Sequence, residues 1–116
     1  MSSLFVAVQD LFFAERLGSA LRALGHQAQV IDLSLEAAPV FPAAGVALAI
    51  VDLEAGEPGL AVVRQAKAAG VPVLAFGPHT DLALRQGALA AGATRVVAKS
   101  KLTSSLGELV GDLLQH

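Results

Sequence analysis

The chain has 116 residues, of which 54% are hydrophobic and 16% charged, with a formal net charge of −2 and no cysteine. This length suffices for one core, so we expect a single domain over residues 1–116. The composition excludes disulfide frameworks and thiolate metal sites, and the acidic balance argues against nucleic acid as a partner. No apolar run reaches the roughly 18 residues of a membrane span, and no basic segment resembling a signal peptide is visible, so we expect a cytoplasmic protein without membrane contact.

The first third of the chain alternates apolar runs with a helical pattern. Residues 4–8 form an apolar run typical of a strand, and residues 11–24 place apolar side chains at helical spacing before Gly25, a common helix end. Residues 27–31 alternate in polarity and predict a short strand near a sheet edge. Pro39 and Pro42 exclude a long helix over residues 33–45, where we expect at most one turn around residues 34–38.

The other elements are organised around the segment at residues 46–52, VALAIVD. Its uninterrupted apolar residues indicate a strand that is buried on both faces, and turn residues lie on either side of it. It ends at Asp52. In open α/β sheets the carboxyl ends of the strands are where ligands and chemistry are found, so Asp52 is a candidate functional carboxylate.

The second half predicts two further strands and three helices. We expect a helix at 60–69, a strand at 71–76 with Pro72 at its start, a helix at 80–91 capped by Thr80, a strand at 95–98 and one final helix. Such alternation predicts an α/β fold, a doubly wound five-stranded parallel sheet in an α/β/α three-layer arrangement, with the flavodoxin-like order 2-1-3-4-5. This order brings Asp10 and Asp52 to the ends of neighbouring strands.

Asp10, Asp52 and Lys99 each follow a predicted strand at the same sheet edge. Two close carboxylates repel each other, and Mg²⁺ or a lysine relieves that repulsion. A carboxylate beside Mg²⁺ and an ammonium is also what an aspartyl phosphate requires. Plainer explanations remain open: Asp10 as the N-cap of the first helix, Asp52 as a solvated acid at a strand end, and Lys99 as its simple ion-pair partner.

The chain resembles a response-regulator receiver domain of the CheY-like family over essentially its whole length. The matching segments are FVAVQD at 5–10, IVDL at 50–53, PGL at 58–60, VPVL at 71–74, AGA at 91–93 and VVAK at 96–99. The resemblance implies phosphorelay signal transduction, with Asp52 as the phosphoacceptor for a histidine kinase and Lys99 as the charge partner of the phosphoryl group. It also implies an Mg²⁺ site formed by Asp10, Asp52 and the backbone carbonyl of Glu54.

Four positions depart from the family's pattern. Gln9 replaces the first acidic residue, and Gly77 stands where a Ser or Thr hydroxyl normally holds the phosphoryl group. Val96 replaces the aromatic residue that moves with that hydroxyl, and Ser100 replaces the proline after the lysine. Because these changes weaken the Mg²⁺ site and remove the known switch, we expect a degenerate receiver that acts through protein contacts and is not an enzyme.

Two surfaces suggest partners. Phe13 belongs to the core stripe of the first helix, so the adjacent Phe12, together with Leu11, is expected near the surface. The helix at 80–91 is apolar on more than one face, which is typical of an interface. The family commonly pairs through this region, so the resemblance implies a homodimer through the 80–114 face, besides contacts with a histidine kinase or a downstream effector.

Two other functions lack residues that they would require. A flavodoxin-like small-ligand or cofactor-binding domain needs a phosphate cradle, and residues 9–14 contain no glycine or hydroxyl to form one. A hydrolase with Asp10 as nucleophile would want a Ser or Thr where Gly77 stands. Glu54 and Glu57 are expected as loop charges and His79 as a surface loop residue. His26 and His116 are distant from His79 in sequence, which gives a histidine metal site little support.

Overall fold

The structure is a computed structural model, and it describes residues 2–35, 38–42, 44–78 and 80–115. Its centre is a parallel sheet of five strands in the order β2-β1-β3-β4-β5, which confirms the predicted order. The strands are β1 Ser3–Val8, β2 Gln27–Asp32, β3 Leu48–Asp52, β4 Val73–Gly77 and β5 Arg95–Ala98. Helices α1 Leu11–Ala23, α2 Glu57–Ala68, α3 Leu82–Ala91, α4 Lys99–Ser104 and α5 Leu106–Leu114 cover it, with a short 3-10 helix at Leu53–Ala55.

The strands bury both faces, as the uninterrupted apolar runs predict. In β1, Leu4, Val6 and Val8 pack with α1 and α5, whereas Phe5 and Ala7 pack with α2 and α3. Residues of β3 and β4 alternate in the same way, so Phe76 lies on the α1 side and Val96 of β5 on the α2 side. β2 is only partly buried and lies at the sheet edge, where its mixed pattern places it.

Two strands start later than predicted. β3 begins at Leu48, which is the register partner of Leu4 in β1. β4 begins at Val73. Val71 is not free to extend β4, since its N–H donates to the carbonyl of Ala66 and closes the end of α2. Pro72 carries no N–H for a strand ladder.

Three helix boundaries also correct the prediction. α2 begins at Glu57 and not at residue 60, because Pro58 is well tolerated in the first turn of a helix. Thr80 is not the cap of α3: Asp81 is the N-cap, and its carboxylate accepts a hydrogen bond from the Leu84 N–H at 2.9 Å. The predicted last helix is two helices, since Ser105, with φ −131°, leaves helical geometry between α4 and α5.

The proline-containing segment after β2 contains no helix in the residues that are described. A turn follows Asp32, where the Leu35 N–H donates to the Asp32 carbonyl, whereas Glu36 and Ala37 of the predicted turn lie outside the described residues. Phe41 returns the segment to the core, with its ring 5.1 Å from that of Phe5. Gln65 of α2 binds the segment at two points, donating to the Pro39 carbonyl and accepting from the Phe41 N–H, each at 2.8 Å.

Within the described ranges, none of the helices is both long enough and apolar enough to cross a membrane. The expected cytoplasmic location stays a prediction. The structural expectations for His79 and His116 concern residues outside the described ranges.

Candidate functional site

Asp52 is the last residue of β3, and only 6% of its surface is exposed. It continues the alternation of β3, beside Phe76 in the neighbouring strand. Its Oδ1 accepts a hydrogen bond from the Glu54 N–H at 2.9 Å, and its Oδ2 accepts one from the Gln9 N–H at 3.2 Å. Because an ionised carboxylate accepts strongly from backbone N–H groups, these two contacts stabilise and orient the charge at the sheet edge. The plainer expectation of a solvated acid is therefore wrong.

Asp10 caps α1 and lies at the surface. Its Oδ1 accepts hydrogen bonds from the N–H groups of Phe12 at 2.9 Å and Phe13 at 3.2 Å, which are unpaired donors of the first helical turn. The N-cap interpretation of Asp10 is therefore confirmed, and a metal role for the same carboxylate stays a prediction. The neighbouring Gln9 contributes its backbone N–H to Asp52, so the loops after β1 and β3 are in direct contact.

The candidate metal donors are the carboxylates of Asp10 and Asp52 and the backbone carbonyl of Glu54. In the part of the chain that the structure describes, no group of three or more His, Asp or Glu side chains is placed to hold a metal ion. Mg²⁺ is often bound through one or two carboxylates with water completing the shell. An Mg²⁺ site formed by Asp10, Asp52 and the Glu54 carbonyl, in which the ion would offset the charge of an incoming phosphoryl group, stays a prediction. The observed contact of Glu54 with Asp52 is made by its N–H.

Lys99 is the first residue of α4 and is partly buried. Its Nζ lies over the ring of Phe13, 4.3 Å from the ring centroid. Among the described residues the ion pairs join Arg64 to Glu57 and Arg95 to Asp112, so the plain Lys99–Asp52 pair considered from the sequence is not formed. Sequence reasoning missed Phe13 as a contact of Lys99. The available signal was that Phe13 lies three residues after Asp10 on the first turn of α1, at the same edge of the sheet as Lys99.

The departures at Gly77 and Val96 meet at a small cavity on the α2 and α3 side of the sheet. The cavity measures about 30 Å³, and its lining includes Leu53, Gly77, Leu84 and Val96. A Cβ atom at Gly77 would lie 3.4 Å from both the Leu53 Cβ and the Leu84 Cδ2. A Cβ atom at residue 77 would therefore be in van der Waals contact with two leucine side chains. Ser100 lies exposed in the first turn of α4.

The expected exposure of two apolar surfaces is confirmed. Phe12 is 83% exposed and Leu11 57%, beside the cap of α1. On α3, Leu82 is 66% exposed and Leu89 45%. Contact of either surface with another protein stays a prediction.

No family model matches the chain, and no curated protein matches it. Solved structures do match it. A response regulator receiver protein from Burkholderia phymatum is similar with a TM-score of 0.78 and 24% identity, covering 99% of this chain and 96% of that one. A CheY-like response regulator receiver domain protein from Methanospirillum hungatei JF-1 has a TM-score of 0.79 and 16% identity, covering 99% and 94%.

The chain has the fold of a response-regulator receiver domain. The receiver fold also matches a part of NtrX from Brucella abortus, with a TM-score of 0.79 and 18% identity over 98% of this chain and 27% of that one. The resemblance drawn from sequence motifs is thus confirmed at the level of the fold. In this receiver fold Asp52, Asp10 and Lys99 all lie at the carboxyl edge of the sheet, after β3, β1 and β5.

Proposed function

We propose that residues 1–116 act as one receiver-like regulatory domain of phosphorelay signal transduction, with Asp52 as the phosphoacceptor. The observation that carries this proposal is the Asp52 carboxylate, held at the end of the central strand by the N–H groups of Gln9 and Glu54. A carboxylate fixed at a strand end is prepared to attack phosphorus. Its oxygen would form the new P–O bond while the bond from phosphorus to the donor's leaving group breaks, and that group departs with the electron pair.

The output of the domain is proposed to be binding of a protein partner, without a large switch. Gly77 offers no hydroxyl to follow a phosphoryl group, and its neighbours are the apolar side chains of Leu53 and Leu84. A switch needs an element with two arrangements that the new charge can bias. A histidine kinase or a downstream effector is the proposed partner, and a homodimer would use the 80–114 face, where Leu82 and Leu89 are exposed. Beyond its own phosphorylation and dephosphorylation, we propose no catalysed reaction.

The test is incubation of the protein with acetyl phosphate and millimolar Mg²⁺, followed by mass analysis. We expect one phosphoryl group on the wild-type protein and none on Asp52→Asn. Asp81→Asn is the matched control, because it makes the same change at an exposed cap on another loop, and it should be labelled like the wild type. An unlabelled wild-type protein, or labelling that survives in Asp52→Asn, would contradict the assignment of Asp52.

The alternative of a small-ligand or cofactor-binding domain has less support. Such domains hold a phosphate at the first helix N-terminus, through free backbone N–H groups. Here the carboxylate of Asp10 already accepts from the N–H groups of Phe12 and Phe13, so an anion would meet a negative charge there. Flavin mononucleotide should therefore leave the melting temperature unchanged, and a clear rise would favour the alternative.

A further inference from the structure

The ammonium group of Lys99 contacts an aromatic ring and does not pair with a carboxylate among the described residues. Its ammonium lies 4.3 Å from the centroid of Phe13, within the roughly 6 Å range in which a ring face attracts a cation. The guanidinium of Arg16 lies 5.7 Å from the same centroid. Two cationic groups therefore lie close to the ring of Phe13. Neither of them belongs to the ion pairs found among the described residues.

The ring of Phe13 is a fixed support. Phe13 is 5% exposed and contacts the ring of Phe76 at a centroid distance of 5.4 Å. Phe76 is the register partner of Asp52 in the adjacent strand. The ring of Phe13 thus contacts the ammonium of Lys99 and, on the α1 side of the sheet, the ring of Phe76 in the strand beside Asp52.

The unmodified carboxylate of Asp52 accepts its hydrogen bonds from groups other than Lys99. Each of its two oxygens accepts a backbone N–H, from Glu54 and from Gln9. A phosphoryl group on Asp52 would carry close to two negative charges on three acceptor oxygens, in place of the single charge of the carboxylate. Such an anion attracts an ammonium far more strongly than the unmodified carboxylate does, and it would compete directly with the ring.

We infer that Phe13 is a positioning residue, which holds Lys99 off Asp52 in the unmodified protein and releases it to a phosphoryl group. This inference rests on the function proposed above. A ligand that requires the released state binds with an apparent affinity reduced by the fraction of molecules in that state. The ring of Phe13 should therefore weaken the binding of a phosphoryl mimic at Asp52.

The contact itself is tested by NMR of the lysine side chains without any ligand. The ε-CH₂ protons of Lys99 should resonate upfield of those of the exposed Lys101, because they lie over a ring. Phe13→Leu should abolish this shift and Phe13→Tyr should keep it. Phe12→Leu is the matched control: it removes the adjacent ring, which is 83% exposed, and should leave the Lys99 shift unchanged. Equal shifts of Lys99 and Lys101 in the wild type would overturn the inference.

The release is tested by titration with beryllofluoride at millimolar Mg²⁺. Phe13→Leu should bind roughly 2- to 30-fold more tightly than the wild type, the range that cation–π energies imply, while Phe13→Tyr and Phe12→Leu should match the wild type. In the wild type, saturation should move the Lys99 signals downfield, a readout that does not depend on how any variant folds. Lys99 signals that stay upfield, or unchanged affinity in a folded Phe13→Leu, would contradict the inference alone. Absence of beryllofluoride binding by the wild-type protein would contradict the proposed function.

Discussion

The backbone N–H of Gln9 donates a hydrogen bond to Oδ2 of Asp52, at 3.2 Å, and so joins the loops that follow β1 and β3. The side chain of Gln9, at a position where the family usually carries an acid, takes no part in this contact. The position thus contributes through its backbone, and that contribution survives any side-chain change that keeps the loop in place. Asp52 therefore has an oriented carboxylate although the side chain of Gln9 carries no charge.

Replacing Asp52 by Ala should destabilise the protein. The N–H groups of Gln9 and Glu54 would lose their acceptor in a partly buried place. A buried donor without a partner costs about 1–3 kcal/mol, so we expect a loss of that order in the free energy of unfolding. Urea denaturation measures it. Asp52→Asn keeps one acceptor oxygen and should lose less, and equal stability of Asp52→Ala and the wild type would contradict the role of these contacts.

Two substitutions of Asp10 distinguish its capping role from a metal-binding role. Asp10→Ala should lower the free energy of unfolding by about 1 kcal/mol, because the N–H groups of Phe12 and Phe13 lose their acceptor. Asp10→Asn should keep the cap and its stability, while it removes a charge from the predicted Mg²⁺ site. Mg²⁺ titration followed by amide chemical shifts measures the second effect. Wild-type Mg²⁺ affinity in Asp10→Asn would exclude Asp10 as a ligand.

The N-terminus of α3 offers a direct comparison of two adjacent residues. Asp81→Ala should cost about 1 kcal/mol of stability, since its carboxylate accepts from the Leu84 N–H. Thr80→Ala should change stability by less than about 0.5 kcal/mol, because Thr80 is exposed and lies outside the helix. Thermal or urea unfolding of both variants measures the difference. A larger loss in Thr80→Ala than in Asp81→Ala would restore the cap predicted from the sequence.

Gln65 should stabilise the segment between β2 and β3. Gln65→Leu removes both hydrogen bonds of its amide and leaves the Phe41 N–H without that acceptor, so we expect a loss of about 1–3 kcal/mol. Gln86→Leu, the same change on the exposed surface of α3, is the control and should have little effect. Urea denaturation compares the two variants. Equal stabilities would contradict the role of Gln65.

Glu57 and Arg64 form an exposed pair on α2 whose effect depends on pH. The Arg64 Nη1 donates to Oε1 of Glu57 at 2.7 Å, and this hydrogen bond, with the attraction between the charges, lowers the pKa of Glu57. A lowered carboxyl pKa contributes stability that is present above the ordinary glutamate pKa and is lost as pH falls through the lowered value. Arg64→Gln should return the Glu57 pKa to its ordinary value, as measured by NMR titration. Arg85→Gln is the control, and a Glu57 pKa unaffected by Arg64→Gln would contradict the pairing.

The fold was readable from the sequence because its strands are uninterrupted apolar runs. β5 was predicted to the residue. The alternation of strands and helices predicted a parallel sheet, and five strands at this chain length suggested the observed order β2-β1-β3-β4-β5. The boundaries were less readable where two groups compete for one role. Thr80 and Asp81 are both good caps, and only the contact of Asp81 with Leu84 distinguishes them. The break at Ser105 was hidden because the apolar spacing continues through it.

The sequence by itself determined which charged residues reach the carboxyl edge of the sheet. Parallel strands end at the same edge of a sheet, so Asp10, Asp52 and Lys99, which lie at or just after strand ends, share that edge. Only the tertiary structure decided which groups they contact: Asp52 accepts from the backbone of Gln9 and Glu54, and Lys99 lies on Phe13. The physical reason is that backbone donors and a ring face compete with ion pairing at short range. The outcome depends on distances in the folded chain, which the spacing of residues along the sequence does not give.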